Sequence, residues 1–352
     1  MSSTKVMSRT GRRASQAVTI ETVARAAGVS PMTVSNVLNQ RPNVRPATRD
    51  VVLKAVAELG YKPNAAARSL ASAATTRIGL LCGSLESGFL SSIFSGTIEE
   101  TSNLGAQLLM HRTGPCEIDE LMEALARFES AGVGAVLAHP PLCEMLSHSN
   151  RELPVPMVAI SPGDELPNMP SVRIDDRAAA RDMTRYLISL GHRRIGMIRL
   201  GHGVLADVTR FEGYCDALSE AGIALDPDIV EQGHVSFTTA LAPAEKLVTM
   251  ANRPTAIFAA NDELAAAVIS VAHRRGVDVP GDLSVAGFDD GPLAVKIWPT
   301  MTTIHQPVAA IAAQATRRAV AIAQNPGQPL VIDTTYLDYR LVVRESTGPC
   351  PA

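Results

Sequence analysis

The stretch VSPMTVSNVLN, residues 29–39, follows ARAAG and sets Ser30 and Pro31 ahead of a short apolar repeat. Ser30 is placed to cap a helix, and Pro31 falls in its first turn, where a missing N–H costs nothing. Val34, Val37 and Leu38 form the inward stripe, which leaves Met32, Thr33, Ser35 and Asn36 for other surfaces. Upstream, Ile20, Val23, Ala24 and Ala27 recur at helical spacing, with Thr19 as the cap and Gly28 as the stop. Two short helices joined by the tight AGVS turn make a helix-turn-helix. In that motif the second helix enters the major groove of DNA with its N-terminal residues at base edges.

The flanks fit the same reading. Pro46 opens a third helix in ATRDVVLKAVAELG, with Val52, Val56 and Leu59 spaced along one face and Gly60 ending it. NAAARSLASAATT follows, rich in alanine but lacking the large apolar residues of a core helix, so alone it forms a helix only weakly. Residues 1–18 are rich in Ser, Thr and Arg without periodicity, a composition expected to be disordered. Charge is divided along the chain. Residues 1–70 carry eleven Lys/Arg against three Asp/Glu, a net +8, so the rest must carry −11 to give the total of −3. A positive head on a negative body is expected when one end meets a polyanion.

The remaining chain has another grammar. RIGLLC, AQLLMH, GAVLAHP, PMVAI, RIGMIRL, TAIFAA and LSVAGF are short apolar runs, most of them separated by amphipathic stretches such as SIFSGTIEETSNLG, DELMEALARFESAG and RAAARDMTRYLISLG. Alternating buried strands and helices imply parallel sheets covered on both faces, and the strands are too many for one small sheet. Two doubly wound lobes are expected, with ligand sites beyond the strand C-termini. No run approaches the ~18 apolar residues of a membrane span, and no secretory signal is visible, so a cytoplasmic location is expected. Five cysteines (Cys82, Cys116, Cys143, Cys215, Cys350) without CxxC spacing suggest neither a disulfide framework nor a zinc site. No cofactor or metal is expected.

The segment VTIETVARAAGVSPMTVSNVLNQRPNVRPATRDVVLKAVAELGYKPNAAARSLAS resembles the N-terminal module of the lactose-repressor (LacI) family of bacterial transcription regulators. The resemblance continues through TRIGLL, SVRIDDRAAARDMTRYLISLGHRRIGMI, RPTAIFAANDELA, VPGDLSVAGFDDGPLA, TTIHQP and LVVRESTG, about residues 18–348. It implies an all-α helix-turn-helix headpiece joined to an α/β effector domain of two doubly wound parallel-sheet lobes, built like periplasmic binding proteins. The expected division is a basic arm 1–18, a headpiece 19–63, a hinge helix and linker 64–76, an effector and dimerisation domain 77–348, and a tail 349–352. The first lobe takes about 77–175 and 306–332, and the second about 176–305 and 333–348.

The resemblance implies a homodimer on a pseudo-palindromic double-stranded DNA operator, in a nucleoid-associated protein. Positions matching the family's DNA contacts are Thr19, Ser30, Thr33, Ser35 and Asn39 at phosphates or the groove edge, with Tyr61 near the backbone. Met32 and Asn36 match base-reading positions. Leu70 matches a minor-groove wedge in the hinge helix, with Ala67 small enough for close approach. Many family members carry arginine at the position of Asn36. Arginine grips guanine O6 and N7, whereas asparagine pairs with adenine N6 and N7, so an operator altered at that base pair is expected, with contact to phosphate or water as the plainer alternative.

For the body, the resemblance implies that Arg210 in RFEGY, Asn261 in AAND and Asp289 in FDD converge on a ligand cleft. Phe89 matches an aromatic facing the ligand, and Asp175 lies at a lobe crossover, against ligand or hinge. Plainer roles exist: Asn261 or Asp262 as a helix cap, Arg210 as a surface charge, Asp289 or Asp290 as a turn residue. Ser161 stands where an acidic residue is common, and Val235 where an aromatic often stacks. These two departures put the usual monosaccharide and purine ligands in doubt, and leave a larger saccharide, a phosphosugar or an acid open. The expected function is a small-molecule-responsive regulator, a repressor of a catabolic or uptake operon answering to a sugar or sugar derivative. No leucine heptads follow toward ESTGPCPA, so a dimer is expected rather than a tetramer.

Two other readings are weaker. Gly201, Gly203 and Ala206 fall at GxGxxA spacing after a strand, as in a dinucleotide-binding enzyme, with His202 and Asp207 nearby. The match sits in a late βα unit and no acidic residue ends a following strand at the expected distance. An exported solute-binding protein would have no use for the basic helix-turn-helix.

Overall fold

The computed structural model describes residues 19–38, 44–61, 76–83, 88–114, 117–201 and 203–351. The chain divides into two compact units, 1–75 and 76–352.

In the first unit, α1 (Ile20–Ala27), α2 (Pro31–Leu38) and α3 (Pro46–Glu58) pack about Val23, Ala24, Val34, Val37, Val52 and Ala55. Thr19 and Thr22 form a capping box at the start of α1, and Gly28 takes the left-handed conformation (φ 65°) that ends it. The Ser30 hydroxyl accepts from the Thr33 amide at 3.1 Å and so caps α2. On α3 the buried face is Val52 and Ala55, while Val56 and Leu59 are half-buried at its margin.

The second unit holds two parallel sheets. The first, in the order β11-β5-β4-β3-β1-β2, combines β1 (Arg77–Cys82), β2 (Gln107–Arg112), β3 (Ala135–Ala138), β4 (Met157–Ile160), β5 (Ser171–Arg173) and β11 (Thr334–Tyr336). The second, in the order β7-β6-β8-β9, combines β6 (Ile195–Arg199), β7 (Val230–Gln232), β8 (Ala256–Ala259) and β9 (Ser284–Ala286). A short antiparallel pair, β10 (Thr303–His305) with β12 (Arg340–Val342), lies beside β9 through isolated bridges. Strands β3, β4 and β8 are buried at every residue, which is why they read as apolar runs without alternation.

Helices α4 (Gly88–Asn103) and α11 (Val308–Gln324) pack together on the first lobe, which also carries α5 (Ile118–Ser130) and α6 (Leu142–His148). On the second lobe α7 (Asp176–Ser189) packs on α8 (Leu205–Glu220), and α9 (Phe237–Thr249) on α10 (Asp262–Arg274). One apolar cluster runs through both lobes, from Ile78 and Leu137 to Phe258 and Val285. The third crossing between the lobes falls after Tyr336 and not at the expected 332/333 boundary, because Thr334–Tyr336 pairs in parallel with β5 of the first sheet. Three residues without a long apolar run give that strand no sequence signal. Among the described residues no helix is long and apolar enough to cross a membrane.

Candidate nucleic-acid interface and effector cleft

Burial of Val34 and Val37 fixes which way α2 turns its polar face. Met32 is its most exposed large side chain, at 70%. Thr33, Ser35 and Asn36 are half-buried, so the late position of α2 is less open than its polarity suggests. The hydroxyls of Ser30 and Thr33 lie 2.9 Å apart, so the cap also orders a second hydroxyl on the same face. Thr19 serves as the cap of α1. Tyr61 is packed against the headpiece core, leaving its ring partly covered. Asn39, Ala67 and Leu70 lie outside the described residues, as do the arm and most of the linker.

In the second unit Arg210, on α8, is buried among second-lobe residues. Its Nε donates to Asp176 Oδ1 at 2.8 Å and its Nη1 to the Ala260 carbonyl at 2.5 Å, with Asp289 Oδ1 at 3.8 Å. The guanidinium lies 3.7 Å from the centroid of the Phe288 ring, a cation–π contact that removes one face from solvent. Asp176 also faces Arg173 at 3.6 Å. Burial pushes the Asp176 carboxyl up, and the two guanidiniums oppose that.

Asp289 has φ 111°, a left-handed conformation that costs a non-glycine residue. It is held there by its own amide, which donates to Ile304 O at 2.9 Å, and by Gln306 Nε2, which donates to Oδ1 at 2.7 Å. Gln306 Oε1 accepts from the Ser161 hydroxyl at 3.4 Å, tying the first lobe to this network. Asp262 is buried and accepts from the Thr303 hydroxyl and the Gly291 amide, both at 2.7 Å. Burial, and then the neighbouring Asp289 charge, push its carboxyl up to about 8. Asp289 is pushed up to about 6 by burial, opposed by Arg210. Asp290 accepts from Arg344 at 2.6 Å and pairs with His305 Nδ1 at 2.9 Å. Phe89, Ser92, Asp289, Asp290, His305 and Gln306 border a cavity of about 330 Å³.

Residues 19–64 match the family model for bacterial regulatory proteins of the lacI family, and residues 184–347 match that for periplasmic binding protein-like domains. Catabolite control protein A of Priestia megaterium is 32% identical over 94% of this chain and 99% of its own. The HTH-type transcriptional regulator GalR of Escherichia coli is 34% identical over 94% of this chain and 96% of its own. The chain belongs to the lacI family of bacterial regulatory proteins. Among solved structures, the lac repressor dimer bound to operator and an anti-inducer matches with a TM-score of 0.75 at 26% identity, covering 95% of this chain and 100% of that one. A complex of the transcriptional regulator CelR with cellobiose matches at 0.68 and 30% identity, covering 94% and 99%.

This lacI-family chain is a ligand-responsive DNA-binding regulator and not an enzyme. The helix start that a dinucleotide pyrophosphate would need is already taken by carboxylates. Asp207 accepts from the Gly201 amide at 3.2 Å and binds Arg199, and Glu144 accepts from the Leu205 amide at 2.9 Å.

Of the residues expected at the effector site, Arg210 and Asp289 stand together and Phe89 borders the adjoining cavity. Asn261 is the N-cap of α10, accepting from Leu264 N at 2.8 Å, while its Nδ2 donates to the Val235 carbonyl at 3.0 Å. Asp175 is the N-cap of α7, accepting from Ala178 N at 2.9 Å. The Val235 side chain is largely exposed. Sequence reasoning passed over Asp176 and weighed Asp262 only as a helix cap, a role that Asn261 fills. Each directly follows a cap residue, Asp175 or Asn261, and turns inward from the first helical position while its neighbour faces the helix end. An acid immediately after an N-cap at a strand-to-helix junction was the available signal.

Proposed function

We propose that this regulator is a homodimeric repressor of a catabolic or uptake operon, and that the molecule controlling it is neutral and rich in hydroxyls, as a sugar is. The observation that carries the effector reading is the charge state of the cleft. Arg210 is already matched by Asp176 and Asp289, and Arg344 by Asp290. Four carboxylates, Asp176, Asp262, Asp289 and Asp290, stand against the three guanidiniums of Arg173, Arg210 and Arg344, an excess of acids that favours negative potential. A phosphosugar or sugar acid would add charge to that potential, whereas hydroxyls can donate to Asp289 and accept from Gln306. The likeness to the CelR–cellobiose complex supports a saccharide.

For DNA, the exposed Met32 and the half-buried Asn36 form the base-reading edge of α2, with adenine as the partner of Asn36. Thr19, Ser30, Thr33, Ser35 and Asn39 serve phosphates or the groove edge, and Leu70, with Ala67, the minor groove. Ile98, Leu104 and Met110 on the first lobe and Val295 and Trp298 on the second are exposed apolar side chains that would supply dimer contacts. The protein acts in the cytoplasm, at the nucleoid.

Thermal-shift screening of the full chain against neutral mono- and disaccharides, sugar acids, sugar phosphates and nucleobases tests the effector reading. Hits would then be titrated against an operator complex. Neutral sugars should stabilise the larger unit, and Asp289→Asn should weaken that response at least tenfold. A phosphorylated or acidic sugar as the tightest binder would overturn the charge argument.

A further inference from the structure

On the side of the cleft where Gly163 meets Ala206, the two lobes are already closed upon each other. Glu144, on α6 of the first lobe, is 4% exposed. Its carboxylate accepts from two backbone amides, each at 2.9 Å: Gly163 in the first lobe and Leu205, the first residue of α8, in the second. Val204, the residue at the cap position of α8, makes no side-chain cap bond. Glu144 therefore does for α8, from the other lobe, what a capping side chain usually does from the chain itself. A negative group at a helix start is also favoured by the helix dipole.

Three further contacts close the same junction. The Leu205 side chain packs on the first lobe's own apolar cluster of Leu121, Leu146, Leu166 and Met169. The Thr209 hydroxyl donates to the Gly163 carbonyl at 3.0 Å. A Cβ on Gly163 would stand 1.8 Å from the Ala206 amide nitrogen, so the approach of the lobes depends on glycine there. Arg210 follows on the same helix.

We propose that Glu144 is a positioning residue, a cap supplied across the cleft that fixes α8, and Arg210 with it, and holds the lobes together before any effector is bound. The energetic logic is that of a population shift. An effector changes DNA affinity only through its differential affinity for two lobe arrangements, and this latch weights one of them in advance. The link to Arg210 rests on the effector reading above, but the latch itself does not need an effector to be tested.

Hydrogen exchange on the full chain tests it, with Glu144→Gln, Gly163→Ala and the double variant. Glutamine keeps the volume but offers one acceptor and turns an NH2 toward the second amide. Gly163→Ala opens the same junction sterically with Glu144 intact. Exchange at residues 163 and 205–207 should become at least tenfold faster in each single variant, while β1, β3, β6 and β8 keep their rates. Operator affinity, on a duplex selected from a random pool by the wild-type protein, should shift in the same direction in both. The double variant should shift it by less than the product of the two, because both release one contact. Unchanged exchange at residues 163 and 205, or faster exchange throughout both lobes, would overturn the latch. So would operator affinities that stay within twofold of wild type, shift in opposite directions or multiply. None of these outcomes bears on which effector class binds.

Discussion

The headpiece helix and the inter-lobe cleft solve opposite problems with similar side chains. On α2 the apolar residues are consumed by a small core and the polar face is turned outward, with Met32 the most exposed of its large side chains. In the cleft the polar groups are turned inward and satisfied by one another: Asp176 with Arg210, Gln306 with Asp289, Asp262 with Thr303. A surface built for a polyanion can wait in water, where its polar groups lose nothing. Buried polar groups cannot, because one left unsatisfied costs about 1–3 kcal/mol.

The largest effect that would break this contrast comes from the headpiece core. Val34→Asp puts a carboxylate among the few buried side chains holding α1, α2 and α3 together, a cost of several kcal/mol. Operator binding should be abolished, while calorimetry finds the melting of the larger unit unchanged. A common fall in both transitions would mean that the two units do not fold independently.

Next is Asp176→Asn. Breaking a buried ion pair on one side typically costs about 3–5 kcal/mol, because the remaining charge is left buried. The larger unit should lose stability on that scale in denaturant titration, with the operator preference of the protein unaltered. A loss below about 1 kcal/mol would show that Asp289, 3.8 Å from Arg210, suffices alone.

Asn36→Arg should leave stability untouched and change preference at one base pair in each half-site, by about 1–3 kcal/mol of discrimination in favour of guanine. Selection from a random pool reads this directly. The same preference at every position would assign Asn36 to phosphate or water.

The smallest effect is the pH dependence of the cleft. Asp262 and Asp289 have folded-state values raised above the ordinary carboxylate range, so the folded chain holds protons that the unfolded chain has released. Their contribution therefore grows as pH falls from about 8 toward 4. His139, which burial lowers to about 4, works the other way below its ordinary 6.5. Comparing wild type with Asp262→Asn isolates one group. The variant's stability relative to wild type should be higher at pH 8 than at pH 5, and a difference independent of pH would remove Asp262 from the account.

How far these regions were legible follows from how local their causes are. The capping of α1 and α2, the stop at Gly28 and the inward stripe of Val34 and Val37 depend on residues within a few positions of each other, and each is visible in sequence. The buried strands RIGLLC, RIGMIRL and TAIFAA are visible for the same reason, as runs that only a covered parallel sheet requires. Arg210 and Asp289 were found through family motifs and not through local pattern. Asp176 escaped because an acid after a cap reads as a favourable helix-start charge, and Asp262 because it reads as a cap itself; only the neighbouring elements show where each points.

By itself, then, the sequence determined the helix-turn-helix, the alternation that makes two lobes and the division of charge between head and body, because these rest on propensity, periodicity and composition. Only the tertiary structure decided that Asp176 and not Asp175, and Asp262 and not Asn261, turns inward, where the third crossing falls and that Glu144 of one lobe caps a helix of the other. Those features join residues distant in the chain. Their energy comes from burial and hydrogen bonds that exist only once both partners are in place.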